Sequence, residues 1–289
     1  MIRVDTRASR AVEADVLYVV ATPIGNAEDI TARAIRVLRE AALIACEDTR
    51  RTGRLLAEHG IRTPTISYFE HNEERRTPGL IARLAAGETI ALVTDAGTPA
   101  IADPGYRLVR AALAAGIPVT AIPGASAVVA ALSVAGLPTD RFVFEGFLPA
   151  RAGERRRALE RLQREDRTMV FYEAARRLTE TLAAMAEAFG VDRAGVVMRE
   201  MTKTHEETLR GTLAELAERF KQTTALGEVT IVVAGGVGER IEPRVNGLEE
   251  AAALEVLRAA GLSLKDASTV LAKLTGERRR DVYQRGLHR

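Results

Sequence analysis

The chain has 289 residues, 47% of them apolar and 28% charged, enough to bury a sizeable core and, by length, to form about two domains. A net charge of +2 and a pI near 8.8 exclude a globally basic surface, so any grip on nucleic acid must be local. The single cysteine, Cys46, excludes an internal disulfide framework and suits a reducing compartment.

The first residues, "MIRVDTRASRAVEAD", are charged. The apolar run after them, "VLYVVA", is too short for a signal-peptide core or a membrane span. A soluble, cytoplasmic protein without membrane association is expected. Short β-branched runs then recur at 16–22, 43–48, 65–70, 89–95 and 118–123. Between them lie segments of helical apolar spacing, such as 30–42 and 105–116. This alternation predicts βαβ units and a mostly parallel sheet covered on both faces. Gly60, Gly87 and Gly116 stand where helices should end.

Around "LPTDRFVFEGFLPA" (137–150) the texture changes, and an arginine-rich segment over 151–167 follows. A second α/β series is expected there: strands at 168–173, 194–200, near 205–210 and 228–236, with helices over 175–189 and 212–220. The glycine- and charge-rich 235–247 reads as a linker. The remaining 248–287 is wholly helical in pattern, with a Gly261, Leu262, Ser263 step of helix-turn-helix character.

Three strand ends carry unusual chemistry: "ATPIGN" (21–26), "TDAGTP" (94–99) and "IPGASA" (122–127). Turn geometry alone favours glycine, proline and aspartate in any one of them. Three on one sheet edge instead describe a cleft, because ligands of open α/β sheets sit beyond the strands' carboxyl ends. The dinucleotide fingerprint and the P-loop lysine are both absent, so a pyrophosphate lacks its usual cradle. S-adenosylmethionine needs none. It asks for an apolar slot, acceptors for its ribose and ammonium, and N–H groups such as a helix start at 123–127 supplies.

The ordered segments "TPIGN…DIT" (22–31), "CEDTRRTG" (46–53), "HNE" (71–73), "LVTDAGTPAIADPGYRLV" (92–109), "PGAS" (123–126), "LSVAGLPTDRFVFEGFLP" (132–149), "FYEAARRL" (171–178) and "REMTKTHEE" (199–207) resemble the ribosomal RNA small subunit methyltransferase I family, within the tetrapyrrole-methylase superfamily. The resemblance runs from about Leu17 to Gly236, and the tail is similar to that family's C-terminal helix-turn-helix module. It implies a two-domain α/β fold of the class III methyltransferase type, with S-adenosylmethionine in a cleft between the domains, and usually a homodimer. The implied reaction is 2′-O-methylation of a cytidine in the decoding centre of 16S rRNA, within the assembled small subunit. The expected division is 1–138, holding the main cofactor loops, 139–238, closing the cleft, and 239–289, a linker with an RNA-contacting module.

Carried over residue by residue, the cofactor site comprises Thr22, Pro23, Gly25 and Asn26, then Asp95, Ala96, Gly97, Thr98 and Pro99, then Pro123, Gly124, Ala125 and Ser126. Tyr172, Glu173, Thr202 and Gly227 are expected to close it. Met201 departs from a leucine common in the family, a tolerable swap. His205 stands near a position often aromatic, which puts a stacking role there in doubt.

Methyl transfer to a ribose hydroxyl needs orientation and a base for the hydroxyl proton. Lys203, Glu200, Glu47 and Asp48 are the candidates; a neighbouring sulfonium would favour the neutral amine of Lys203. Lys203 could equally be a solvated lysine or a phosphate contact. Asp48 could instead cap the next helix, and Asn72 another. The histidines, His59, His71, His205 and His288, lack metal-ligand spacing, so no catalytic metal is expected. RNA contacts are expected from Arg50, Arg51, Arg155, Arg156, Arg157, Arg278, Arg279 and Arg280, although a charge run also suits a solvated helix face. With no tryptophan and 4% aromatics, recognition by shape and backbone fits better than a stacking platform. The competing readings are a tetrapyrrole C-methyltransferase and a non-catalytic ribosome-assembly factor.

Overall fold

The computed structural model describes residues 12–221, 227–236, 250–275 and 278–287. They fall into two compact units: one reaches to Gln163 and resumes over Arg167–Ala234, the other joins Arg164–Asp166 to the chain from Gly235 onward.

In the first unit, β1 (Leu17–Val20) leads to α1 (Ala32–Glu40), and β2 (Leu43–Cys46) to α2 (Thr49–Glu58). β3 (Thr65–Ser67), α3 (Glu73–Ala85), β4 (Ile90–Val93), α4 (Tyr106–Ala114) and β5 (Val119–Ile122) follow. The sheet is parallel throughout, in the order β3-β2-β4-β1-β5. β2 and β4 are buried along their whole length because each strand feeds two cores. Tyr18, Val20, Ile44, Cys46, Ala91 and Val93 pack with Ala34, Val37, Leu38 and Leu56 of α1 and α2. Leu17, Leu43, Ala45, Ile90 and Leu92 pack with Leu80, Leu84, Leu108 and Ala112 of α3 and α4. This period-two split of continuous apolar runs is what a sheet covered on both faces requires. Thr31 caps α1 by accepting from the Ala34 amide at 3.1 Å, and Gly60, Gly87 and Gly116 follow helices at positive φ.

The 65–70 run forms a strand for only half its length. The chain turns after Ser67 because the Asn72 side chain accepts from the Phe69 amide at 2.9 Å and donates to the Ser67 carbonyl at 3.1 Å. Asn72 precedes α3 but makes no side-chain cap to it; its amide holds the turn instead.

α5 (Ala127–Ala135) ends at Gly136 in the left-handed region, and a second sheet begins. Its elements are β6 (Phe142–Phe147), α6 (Ala152–Arg161), β7 (Thr168–Ala174), α7 (Leu178–Phe189), β8 (Ala194–Arg199), β9 (Glu207–Thr212), α8 (Leu213–Lys221) and β10 (Glu228–Val233). The order is β6-β7-β10-β8-β9; only β6 and β7 run parallel. One face packs Met169, Phe171, Val197 and Ile231 against Leu159, Leu178, Leu182 and Leu216 of α6, α7 and α8. The other packs Val170, Val196, Met198 and Val232 against Val128, Ala131, Leu132 and Ala135 of α5. A helix launched from the first sheet therefore covers the second, which joins both sheets in one unit.

The second unit contains α9 (Glu250–Ala259), α10 (Leu264–Thr275) and α11 (Arg279–Leu287) around Ala253, Leu254, Leu271 and Val282. Ser263 caps α10, accepting from the Asp266 amide at 3.1 Å, and Gly261 at φ +92° makes the turn before it. Most of the expected linker, and the boundary at 238, lie outside the described residues. No helix among the described residues is long and apolar enough to cross a membrane.

Candidate active site

The strand order sets β4, β1 and β5 side by side, so their carboxyl-end loops meet. They are bonded to one another. Thr22 and Gly97 exchange amide-to-carbonyl hydrogen bonds at 2.9 and 3.0 Å, and the Thr22 hydroxyl donates to the Thr94 carbonyl at 3.1 Å. Gly97 needs φ +81° to do so. Thr98 reaches across to the Ala125 carbonyl at 3.3 Å. Opposite them stands the β8–β9 turn, where Glu200 and Thr202 adopt φ +51° and +64°. The Asn26 amide donates to the Thr202 hydroxyl at 3.0 Å. A Cβ on Gly25 would lie 2.6 Å from Lys203 Cγ and 2.7 Å from the Met201 carbonyl oxygen. Absence of a side chain there is what lets the two loops close on each other.

Between these loops and the second sheet lies a cavity of about 220 Å³. Of the expected cofactor residues, Asp95, Ala96, Gly97, Thr98, Ser126, Tyr172 and Glu173 line it, as do the base candidates Glu47, Glu200 and Lys203. An adjoining cavity of about 300 Å³ takes Thr22, Pro23 and Gly25. Asn26, Pro99, Pro123, Gly124, Ala125, Thr202, Gly227 and Asp48 line neither. Several of these shape the loops instead: Gly124 backs onto Ala21, and a side chain on Gly227 would run into the Glu200 carboxylate. Several lining residues went unassigned in the sequence, among them Asp103, Phe147 and Glu228. Asp103 sits in the second half of the "TDAGTPAIADPG" stretch, where an Asp-Pro-Gly string reads as a plain turn.

The cavity is acidic. Six carboxylates line it (Glu47, Asp95, Asp103, Glu173, Glu200 and Glu228) against two cations, Arg51 and Lys203. Asp95 pairs with Arg51 at 3.1 Å, Glu200 with Lys203 at 3.0 Å, and fully buried Glu173 with Arg177 at 3.3 Å. Among the described residues Glu47, Asp103 and Glu228 have no cationic partner. Burial, then the charge of Glu47, pushes the Asp103 carboxyl up to about 6, with the Thr94 hydroxyl opposing the shift. The same two causes raise Asp95, while the Asp48 amide and Arg51 hold it back. Burial and then the Asp103 charge push the Tyr172 phenol up to about 12. Asp48 caps α2, accepting from the Arg50 amide at 2.8 Å, and the Arg50 guanidinium holds its carboxyl well below the usual range. Burial takes the Cys46 thiol up to about 11, away from nucleophilic use.

The arginines expected at RNA separate into two kinds. Arg50, Arg51, Arg156, Arg157 and Arg278–Arg280 are exposed. Arg155 is not: its side chain is 6% exposed, and its guanidinium donates to Glu180 and to the Ala150 carbonyl. It lies one helical turn from buried Leu159, on the inner face of α6, so it is removed from the expected contact surface.

Residues 16–217 match the family model of Tetrapyrrole (Corrin/Porphyrin) Methylases, and 246–289 match the RsmI C-terminal HTH domain. The fold is shared with the uroporphyrin-III-C-methyltransferase of Thermus thermophilus (TM-score 0.53, 22% identity, 75% of this chain and 94% of that one). It is shared also with the methyltransferase CobJ (TM-score 0.57, 20% identity, 80% and 96%). The fold and the cavity thus define a methyltransferase of the tetrapyrrole-methylase type. Ribosomal RNA small subunit methyltransferase I of Pseudomonas aeruginosa is 49% identical over 96% of this chain and 98% of its own length. The Synechocystis protein of that name is 47% identical over 94% and 97%. The chain belongs to the ribosomal RNA small subunit methyltransferase I family. S-adenosylmethionine is the methyl donor that membership brings, and the cavity suits it: a surplus of carboxylates around a partly enclosed, partly apolar slot fits a sulfonium that also carries an ammonium.

Proposed function

We propose that the chain transfers a methyl group to the ribose 2′-oxygen of a cytidine in the decoding centre of 16S rRNA, acting on the assembled small subunit. The observation that carries the RNA substrate is the second unit, which matches a helix-turn-helix module and exposes Arg278, Arg279 and Arg280 in a row. A tetrapyrrole substrate gives such a unit nothing to hold. The names of the relatives support the same choice. Small ribosomal subunits also place the reaction in the cytoplasm.

When bound, S-adenosylmethionine supplies an electrophilic methyl on a positively charged sulfur. The residues present divide the remaining work. Asp95, Glu47 and Glu228, which line the cavity, would favour the cation, and Gly97, Thr98 and Ser126 would hold the molecule from the side of the strand-end loops. Tyr172 lies under a small aromatic group: Phe144 and Phe147 sit 4.9 and 5.5 Å from its ring. A register shift after Phe144, with Gly146 at φ +64°, brings both phenylalanines to the same tyrosine. Phe147 remains 56% exposed at the cavity rim, a surface on which a nucleobase drawn out of its stack can rest.

The homodimer reading is supported by α5. Its inner face covers the second sheet, yet Val129 and Val134 on its outer face are 63% and 52% exposed. A helix apolar on all sides is a buried helix in its working assembly.

The test is methyl transfer from radiolabelled S-adenosylmethionine to small subunits lacking the modification, beside naked 16S rRNA and a tetrapyrrole precursor. Label on the subunit is expected. Label on the tetrapyrrole alone would overturn the reading, and S-adenosylmethionine binding without transfer to any of the three would favour an assembly factor.

A further inference from the structure

We infer that Asp103 takes the proton from the acceptor ribose hydroxyl during methyl transfer; the inference rests on the 2′-oxygen being the acceptor. The other carboxylates and amines of the cavity are engaged or solvated. Lys203 and Glu200 hold each other at 3.0 Å. Asp95 accepts from the Asp48 amide at 3.1 Å and pairs with Arg51. Glu173 accepts from the Thr181 hydroxyl and the Ala174 amide beside Arg177. Glu47 accepts from the Thr94 hydroxyl at 3.0 Å, a hydroxyl that also reaches Asp103, so these two carboxylates stand together and Asp103 is the one held in a strained turn. Glu228 is exposed, so water competes for it. Asp103 is half-buried, faces the cavity and has no cationic partner among the described residues.

The chain also holds Asp103 still. It stands in a turn that the Ala100 amide closes by donating to the Pro104 carbonyl at 3.2 Å. Next to that turn the Gly105 amide donates to the buried Glu73 carboxylate at 2.7 Å. Ala100 and Ala102 both take positive φ, +68° and +61°, a conformation alanine adopts only when its surroundings impose it. Three carboxylates and one phenol face the group: Glu47, Asp95, Glu228 and Tyr172. Arg51, Lys203 and Glu200 line the same cavity. A carboxyl raised to about 6 by burial and like charge is a stronger base than a solvated one, yet still ionised at neutral pH.

In the step, the oxygen–hydrogen bond of the ribose breaks and its proton passes to the Asp103 carboxylate. The oxygen forms its bond to the methyl carbon, and the carbon–sulfur bond breaks with its electron pair staying on sulfur. The proton then leaves Asp103 for solvent.

The test compares the full-length chain with Asp103→Asn and Asp103→Glu on small subunits across pH 5–9, with S-adenosylhomocysteine binding measured by calorimetry on each protein. For the wild type, kcat should rise with unit slope through the acid range and level off. Asp103→Asn should lose about 10²–10⁴-fold in kcat and lose that acid limb. Its S-adenosylhomocysteine affinity and its KM for subunits should stay within about threefold, and Asp103→Glu should recover part of the rate. An Asp103→Asn variant with kcat within about threefold of wild type, or with an unchanged acid limb, would overturn the inference. So would a loss of S-adenosylhomocysteine affinity as large as the loss of kcat, which would make Asp103 a cofactor ligand. A wild-type product that alkali cleaves would overturn the 2′-oxygen reading and the base with it. An alkali-resistant product with undiminished Asp103→Asn overturns the base alone.

Discussion

Gly25→Ala is the substitution whose consequence follows most directly from the site. The added Cβ would stand 2.6 Å from Lys203 Cγ and 2.7 Å from both the Met201 carbonyl oxygen and the Thr202 hydroxyl. Ordinary contact begins near 3.4 Å, so the two loops must part by about 0.7 Å, or every neighbour must give way. The lysine chain can swing. The Thr202 hydroxyl cannot turn away without dropping the Asn26 amide. The Met201 carbonyl is backbone, in a turn already held at positive φ on either side. Overpacking of this kind costs about 1–3 kcal/mol. Charged against the closed arrangement, that is about 5- to 150-fold in affinity for S-adenosylhomocysteine. Gly25 and Asn26 are exposed and belong to neither sheet's core, so the thermal midpoint should fall little. Calorimetric titration beside thermal unfolding reads both quantities. Binding within twofold of wild type would refute the idea that close approach of these loops forms the cofactor site.

Asp103→Asn should stabilise the free protein at neutral pH. The folded pKa is raised, so the folded chain holds this proton more tightly than the unfolded chain, and stability contributed below pH 4 is lost as pH rises through about 6. At 1.36 kcal/mol per unit the ceiling is about 3 kcal/mol, reduced to about 1–1.5 by solvent screening. Thermal midpoints of both proteins at pH 7.5 and pH 4 check this, and an equal gain at both pH values would contradict it. Glu173→Ala strands Arg177 and Thr181 in the second sheet's core and should cost about 3–5 kcal/mol in urea unfolding, whereas a cost below about 1 would mean the carboxylate is not part of that network. Replacing Arg278, Arg279 and Arg280 by alanine should lower the slope of log affinity against log salt for subunits by about 3, roughly 1 per arginine. Arg155→Ala should leave that slope unchanged and reduce stability instead.

Local pattern carries much of this fold. β2 and β4 are readable as continuous apolar runs because both faces are buried, and α1 because Ala34, Val37 and Leu38 repeat at helical spacing beneath a threonine cap. β3 is overread at 65–70, since the side chain that stops it, Asn72, lies beyond the apolar run. Arg155 was legible in principle, one turn from Leu159, but its charge outweighs its position on a first reading. The three strand-end loops, each with one glycine, are readable because their backbones approach neighbouring chain closely. Phe147 and Glu228 are not, because both belong to the second sheet, which α5 packs across; for Glu228 in β10 that contact joins segments about 100 residues apart. Asp103 lies in plain sequence view, yet what distinguishes it, burial beside Glu47 and Tyr172, is a property of the assembled cleft.

The most direct test of the central claim is the position of the methyl group itself. Small subunits lacking their own modification are labelled by the purified chain, and the 16S rRNA is hydrolysed with alkali and resolved as dinucleotides. The account predicts label in a single alkali-resistant dinucleotide beginning with cytidine, from the decoding centre. Label recovered only in mononucleotides would mean that a base, and not a ribose, carries the methyl, and would contradict it.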